Sequence, residues 1–175
     1  MPHRVAVPDV VEDLRPGETA EAAVERLARA KAEAVATDDG LPVLAADTVV
    51  VCDGDVLGKP ATDAEAAAML RRLSGRTHDV LTGVCLLHRE RLRSAYERTA
   101  VTFVPLSDAD VEWYVATGEP RDKAGAYHVG GRGAVFIARI EGSPSNVAGL
   151  PVTLVRRLAR ELGVSLGFPD RALPP

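Results

Sequence analysis

Hydrophobic positions recur along this chain in two rhythms. From Thr19 to about Ala36 the rhythm is helical. With Val24 at the origin and about 100° per residue, Leu27 falls near ~300° and Val35 near ~20°, while Glu25, Arg26, Arg29 and Glu33 take the opposite half. Leu41 to Pro60 instead holds a short Val-rich run bounded by turn residues, the pattern of a buried strand. Asp53-Gly54 then predicts a hairpin turn, with the chain returning through Val56 and Leu57. A capping box, Thr62-Asp63-Ala64-Glu65, opens a helix filled by alanines, Met69, Leu70 and Leu73, and Gly75 ends it. Two strands are predicted next, His78 to Leu87 and about Arg93 to Val104, joined by a turn over His88 to Arg91. Ser107 caps a short helix carrying Trp113, Tyr114 and Val115, which stops at Gly118. After a Gly-rich polar segment, Glu119 to Gly133, the pattern gives a strand from Ala134 to Ile140 and a loop from Glu141 to Gly149. A last helix runs from Pro151 to Leu162 with Gly163 as its C-cap. Before the first helix only Arg4 to Val7 reads as a strand, and residues 164–175 read as a frayed tail. Strands and helices alternate without a regular βαβ beat, so the expectation is an α/β fold, a mixed sheet flanked by helices.

Composition narrows the function classes. A chain of 175 residues, 46% hydrophobic, is expected to form one domain with a core that needs no disulfide staples. Its two cysteines, Cys52 and Cys85, form neither a disulfide framework nor a CxxC metal pattern. The longest apolar run is broken by Asp47, which argues against a membrane span, and no signal peptide is recognised; a cytoplasmic setting is expected. A net charge of -4 with no long basic block argues against a general nucleic-acid binder. Any phosphorylated ligand therefore has to meet local rather than global positive charge.

Candidate chemistry begins at Asp47, which stands inside the apolar strand with Thr48 directly after it. A buried carboxylate costs several kcal/mol unless it is paired, so Asp47 reads either as a satisfied core residue or as a site acid or base. Lys31 falls near ~340° on the helical wheel, on the apolar stripe, where it either snorkels to the surface or aims its ammonium into a pocket. Asp47, Lys31, Lys59 and an acid among Asp9 to Glu18 would suit hydrolysis between phosphates, which needs a polarised water, a divalent metal and cations on the phosphate oxygens. Magnesium is typically held by one or two carboxylates plus substrate phosphates, a role open to Asp47 and Glu12. A competing reading takes Asp53 as nucleophile and Asp55 as acid of a haloacid-dehalogenase-type phosphatase. The hairpin signal at Asp53-Gly54 and the missing later acidic pair oppose it.

From Pro8 to Gly163 the chain resembles the Maf family of nucleoside triphosphate pyrophosphatases. The matching blocks are Pro16-Gly17-Glu18, Leu27 to Ala32, Ala46-Asp47-Thr48-Val49-Val50, Gly58-Lys59-Pro60, and Leu73-Ser74-Gly75 with His78 and Thr82-Gly83-Val84. They continue in Asp122 to Tyr127, Ile140 to Ser143 and Asn146 to Pro151. The resemblance implies an inosine-triphosphatase-like fold with an elongated sheet, a divalent metal cofactor (Mg²⁺ or Mn²⁺), a homodimer and a cytoplasmic location. It also implies hydrolysis of dTTP, UTP and related modified pyrimidine nucleotides to the monophosphate and pyrophosphate. By position, Asp47 matches the family's proton acceptor, Thr48 a residue that tunes substrate choice, and Lys31, Lys59 and Glu12 its active-site lysines and glutamate.

Two departures from the family pattern stand out. The branch acting on dTTP and UTP usually has Gln where this chain has Gly130, so a candidate hydrogen bond to the base is lost and Gly130 becomes a second specificity position. The family also opens with a strand, a Ser-x-Ser-Pro-Arg-Arg phosphate loop and a helix, roughly twenty residues that are not in this sequence. The expectation drawn from this is that Met1 is an internal methionine of a longer chain and that the fold lacks its first strand and helix. A rival of another class, a non-catalytic nucleotide-binding or cell-division regulatory protein, would have kept the fold without the phosphate loop.

Overall fold

Asp53 and Gly54 adopt left-handed backbone angles, φ 52° and 84°, as a two-residue hairpin with the natural strand twist requires. They join β1 (Val43–Cys52) to the short β2 (Asp55–Leu57). A second tight turn, with Arg89 at φ 57°, joins β3 (Thr77–His88) to β4 (Arg91–Phe103). The computed structural model describes residues 3–36 and 40–167, and in it β5 (Ile137–Glu141) completes a sheet of order β2-β1-β3-β4-β5. The α/β architecture is the expected one. The mixed sheet is not: every pairing among the described residues is antiparallel. Hairpins supply two of the contacts, and no crossover brings a parallel neighbour into the sheet.

Strand alternation sends odd and even residues of β1 to opposite faces. One face carries Val49, Val51 and, from β3, Leu81 and Cys85, and α1 (Ala20–Ala34) packs there through Val24, Leu27, Ala28 and Ala32. The other face is covered by two groups. At one end α2 (Asp63–Leu73) and α3 (Asp108–Ala116) pack Leu70, Leu73 and Tyr114 onto Val50, Val80 and Phe103. At the other end α5 (Val152–Leu162) packs Leu154, Val155 and Leu158 onto Val84 and Leu86. Between them lies the one-turn α4 (Pro144–Val147). Each fully buried Leu contributes about 1.5–3 kcal/mol, so these clusters set the positions of the helices.

One contact decides how near α1 comes to the sheet. A Cβ on Gly83 of β3 would lie 2.1 Å from the carbonyl oxygen of Val24 and 2.7 Å from the amide nitrogen of Glu25. Only a residue without a side chain lets helix and strand backbones meet this closely. Gly83 is the cross-strand partner of Asp47, so the close approach falls beside the candidate carboxylate.

Four local expectations differ from the structure. Arg4 to Val7 forms no strand; Val5 and Val7 are 85% and 92% exposed, with no neighbouring strand to pair with among the described residues. The last strand begins at Ile137, because Arg132–Phe136 winds into a 3₁₀ turn. The expected loop before the final helix contains α4, opened by Pro144 behind the Ser143 cap. Past Gly163, Val164 and Leu166 pack onto the α5 cluster, and the rest of the expected tail, 168–175, lies outside the described residues.

Candidate active site

β2 pairs only with Val50, Val51 and Cys52, so the first part of β1 has a strand on one side alone among the described residues. A cavity of about 270 Å³ runs along this half-paired stretch. Its walls include Glu12, Lys31, Asp47, Thr48, Lys59 and Lys123. It thus gathers five of the six site residues expected from sequence. The sixth, Gly130, sits on an exposed turn, and His128 two residues earlier lines the cavity.

Asp47 and Lys31 meet because both α1 and β1 turn their buried faces to each other. Lys31 Nζ donates to Asp47 Oδ1 at 2.6 Å and lies 2.6 Å from Glu12 Oε1, so one ammonium joins two carboxylates. The core reading and the site reading of Asp47 therefore merge: it is buried and satisfied, and its partner faces a cavity. The snorkelling reading of Lys31 fails, since its side chain is only 13% exposed. Lys59 is more open, with its Nζ 3.9 Å from Glu12 Oε2.

Burial is the main influence on the Asp47 carboxyl and pushes its pKa above the usual aspartate range, with Lys31 offsetting only part of that. Burial pulls on Lys31 in the opposite sense, but hydrogen bonds to Asp47 and Glu12 outweigh it and hold the ammonium charged. The more exposed Glu12 has its pKa lowered, chiefly by its hydrogen bond with Lys31. Asp47 is thus an unusually basic carboxylate held beside a fixed cation.

The segment bearing Glu12 is tied to α1 from behind. Glu18 accepts from Arg26 Nε at 2.6 Å and Nη2 at 2.7 Å and from the Arg15 amide at 3.1 Å, and Arg26 also reaches the Asp13 carbonyl. The paired guanidinium holds the Glu18 carboxyl down at about 2.

Thr48 points to the face opposite Asp47. Thr82 Oγ donates to the Asn146 carbonyl at 3.1 Å, so the 2.9 Å contact between the two threonine hydroxyls uses the Thr48 proton. Thr48 Oγ is left as an acceptor toward the cavity. Asn146 is fully buried and donates to the Val80 carbonyl and to Thr99 Oγ, both at 2.9 Å, fixing the Val147-Ala148-Gly149 wall.

The far wall comes from the polar segment after α3. Gly125, at φ 67°, presses its backbone against Val50 and donates its N–H to the Gly58 carbonyl at 3.0 Å. This docks Lys123, Tyr127 and His128 onto the cavity. Lys123 lies 2.6 Å from Asp122, and neither residue was singled out from sequence for a role of its own. Their position in the Asp122 to Tyr127 block was the available signal.

Asp53 and Asp55, the nucleophile and acid of the phosphatase alternative, project from the β1–β2 hairpin instead. Asp53 pairs with Arg76, and Asp55 accepts from Arg72 at 2.6 Å. Neither lines the cavity.

Three carboxylates and three lysines line the cavity, so their formal charges cancel. A triphosphate would need further positive charge. Among the described residues no three His, Cys, Asp or Glu side chains converge as a metal cluster. Glu12 and Asp47, drawn together by one ammonium, do provide the two-carboxylate donor set that suits a magnesium-like ion completing its shell with water and substrate oxygens. No helix of the described residues is long and apolar enough to cross a membrane.

The model for the family described as Maf-like protein matches residues 1–162. A dTTP/UTP pyrophosphatase of Symbiobacterium thermophilum is 51% identical over 164 residues, covering 93% of this chain and 84% of the relative. One from Anaeromyxobacter sp. is 51% identical over 166 residues, covering 92% and 80%. One from Moorella thermoacetica is 54% identical over 149 residues, covering 83% and 76%.

Proposed function

The chain belongs to the Maf family, and from that premise we propose that it hydrolyses dTTP and UTP to the monophosphate and pyrophosphate. The observation that carries this reading is the Lys31 ammonium joining Asp47 and Glu12 inside a cavity that Lys59 and Lys123 also line. Asp47, made basic by burial, takes a proton from the water that attacks the α-phosphorus. Lys31, Lys59 and Lys123, which line the cavity, would neutralise the negative charge that builds on the phosphate oxygens. Glu12 and Asp47 would hold a divalent cation, Mg²⁺ or Mn²⁺, which when bound offsets substrate charge and acidifies water. Thr48 offers an acceptor to the nucleoside, in keeping with a part in substrate choice.

Homodimer formation in a cytoplasmic setting belongs to the same reading and is open to sedimentation and fractionation. Product analysis is the direct test. UTP, dTTP and a purine control are incubated with the chain and Mg²⁺ or Mn²⁺. UMP or dTMP with pyrophosphate is expected, and orthophosphate or no metal-dependent turnover would refute the reading. Asp47→Asn is expected to lose at least about two orders of magnitude in kcat while keeping its fold.

A further inference from the structure

We infer that the His128 imidazole is the side chain that reads the pyrimidine base, a role that rests on the nucleotide-hydrolase reading and adds to it. His128 lines the cavity together with Tyr127 and the apolar Val50 and Val80. Val50 is three residues along β1 from Asp47, about 10 Å at strand spacing. Within the lining, Val50 and Val80 are apolar, which suits the flat face of a base better than a phosphate.

The ring's position relative to Gly130 is informative. A Cβ built on Gly130 would lie 3.5 Å from His128 Nε2 and 3.7 Å from its Cε1, so the imidazole stands over the turn where a side chain at 130 would begin. Residue 128 lines the cavity and residue 130 does not, so the polar group this turn brings to the wall is the imidazole. Neutral imidazole carries one donor and one acceptor. Uracil and thymine offer an N3–H flanked by two carbonyls, and either complement is available to the ring.

The turn bearing the imidazole is braced from behind. The His128 amide donates to Tyr114 Oη at 3.0 Å, and Tyr114 donates to Glu119 Oε1 at 2.8 Å. Glu119 in turn accepts the amides of Arg132 at 3.0 Å and Gly133 at 3.1 Å. Tyr114 is fully buried, so both sides of the turn are anchored to the core. A reading group held this way keeps a fixed distance from the catalytic carboxylate. Because the brace uses the backbone of residue 128, changing its side chain leaves the brace intact.

The test is equilibrium binding by calorimetry of α,β-methylene-UTP, which cannot be cleaved between those phosphorus atoms, and of ribose 5-triphosphate, which has no base. His128→Ala should weaken the nucleotide analogue about five- to tenfold, the scale of one lost hydrogen bond, and the base-free ligand less than about twofold. His128→Gln should recover most of the difference. Equal losses for both ligands, no loss for either, or a His128→Gln variant no better than His128→Ala would each overturn the inference. Wild-type protein that binds the analogue with the expected His128 dependence but does not cleave UTP would refute the pyrophosphatase reading and leave the base contact standing. Wild-type protein that cleaves UTP while His128→Ala binds unchanged would do the reverse.

Discussion

Replacing Gly83 with Ala adds one methyl group where no space exists. The new Cβ would lie 2.1 Å from the Val24 oxygen and 2.3 Å from its carbonyl carbon, and ordinary contact begins near 3.4 Å. Relief requires helix and strand to part by about 1.3 Å, and both obstacles are backbone atoms that cannot rotate away. Overpacking of this kind costs typically ~1–3 kcal/mol, and a rigid backbone obstacle places Gly83→Ala at the upper end. For a chain of this size each kcal/mol shifts the midpoint by ~2–4 °C, so a fall of about 6–12 °C is expected. The same displacement carries Lys31 away from Asp47 and stretches their 2.6 Å contact beyond hydrogen-bonding range. Misplacement on the order of 1 Å can cost about a hundredfold in rate. Thermal unfolding and UTP turnover, measured well below both midpoints, test the two effects together. Gly58→Ala, whose Cβ would meet nothing within 4 Å, serves as the stability control. A Gly83→Ala midpoint within about 2 °C of wild type would refute the close approach of α1 to β3. A large stability loss with unchanged turnover would refute its link to the Lys31–Asp47 geometry.

Two further outcomes concern pH. The acid limb of kcat/KM should lie above the ordinary aspartate range, because burial raises the Asp47 pKa and Glu12 adds to the rise; Glu12→Gln should move the limb to lower pH, and a limb that stays put or rises would contradict the assignment. His78 is pulled down to about 4 by burial, so between pH 6.5 and 4 the unfolded chain takes up a proton that the folded chain refuses. Stability should therefore fall by roughly 3 kcal/mol on acidification through that window, and urea titrations of His78→Gln should show this part of the loss removed. Equal pH dependence in both proteins would exclude His78 as its source.

The elements legible from sequence were those with local causes. Val24, Leu27 and their neighbours carry helical spacing, Asp53-Gly54 accepts the positive φ of a tight hairpin, and Ser107 caps α3 with its own hydroxyl. The segment after α3 was not legible because its 3₁₀ turns have no apolar period. They are held by bonds from Tyr114 and Glu119 to residues 128, 132 and 133. A sequence pattern does not contain such contacts. Asp47 and Lys31 could be singled out because a charge on an apolar face asks for a partner, and each proved to be the other's. His128 carried no such signal. Its place on the cavity wall depends on Gly125 docking against β1 and on the Tyr114 hydroxyl, neither visible within its own neighbourhood of the chain.

The brace built on Tyr114 and Glu119 shares no residue with the Lys31, Glu12 and Asp47 cluster. Changes in well-separated groups without common partners add nearly independently. On the His128 inference, base preference is altered through the turn that Tyr114 and Glu119 hold, with every residue of the Lys31, Glu12 and Asp47 cluster left in place. A library confined to residues 128–130 would explore base preference without re-optimising the chemistry on β1.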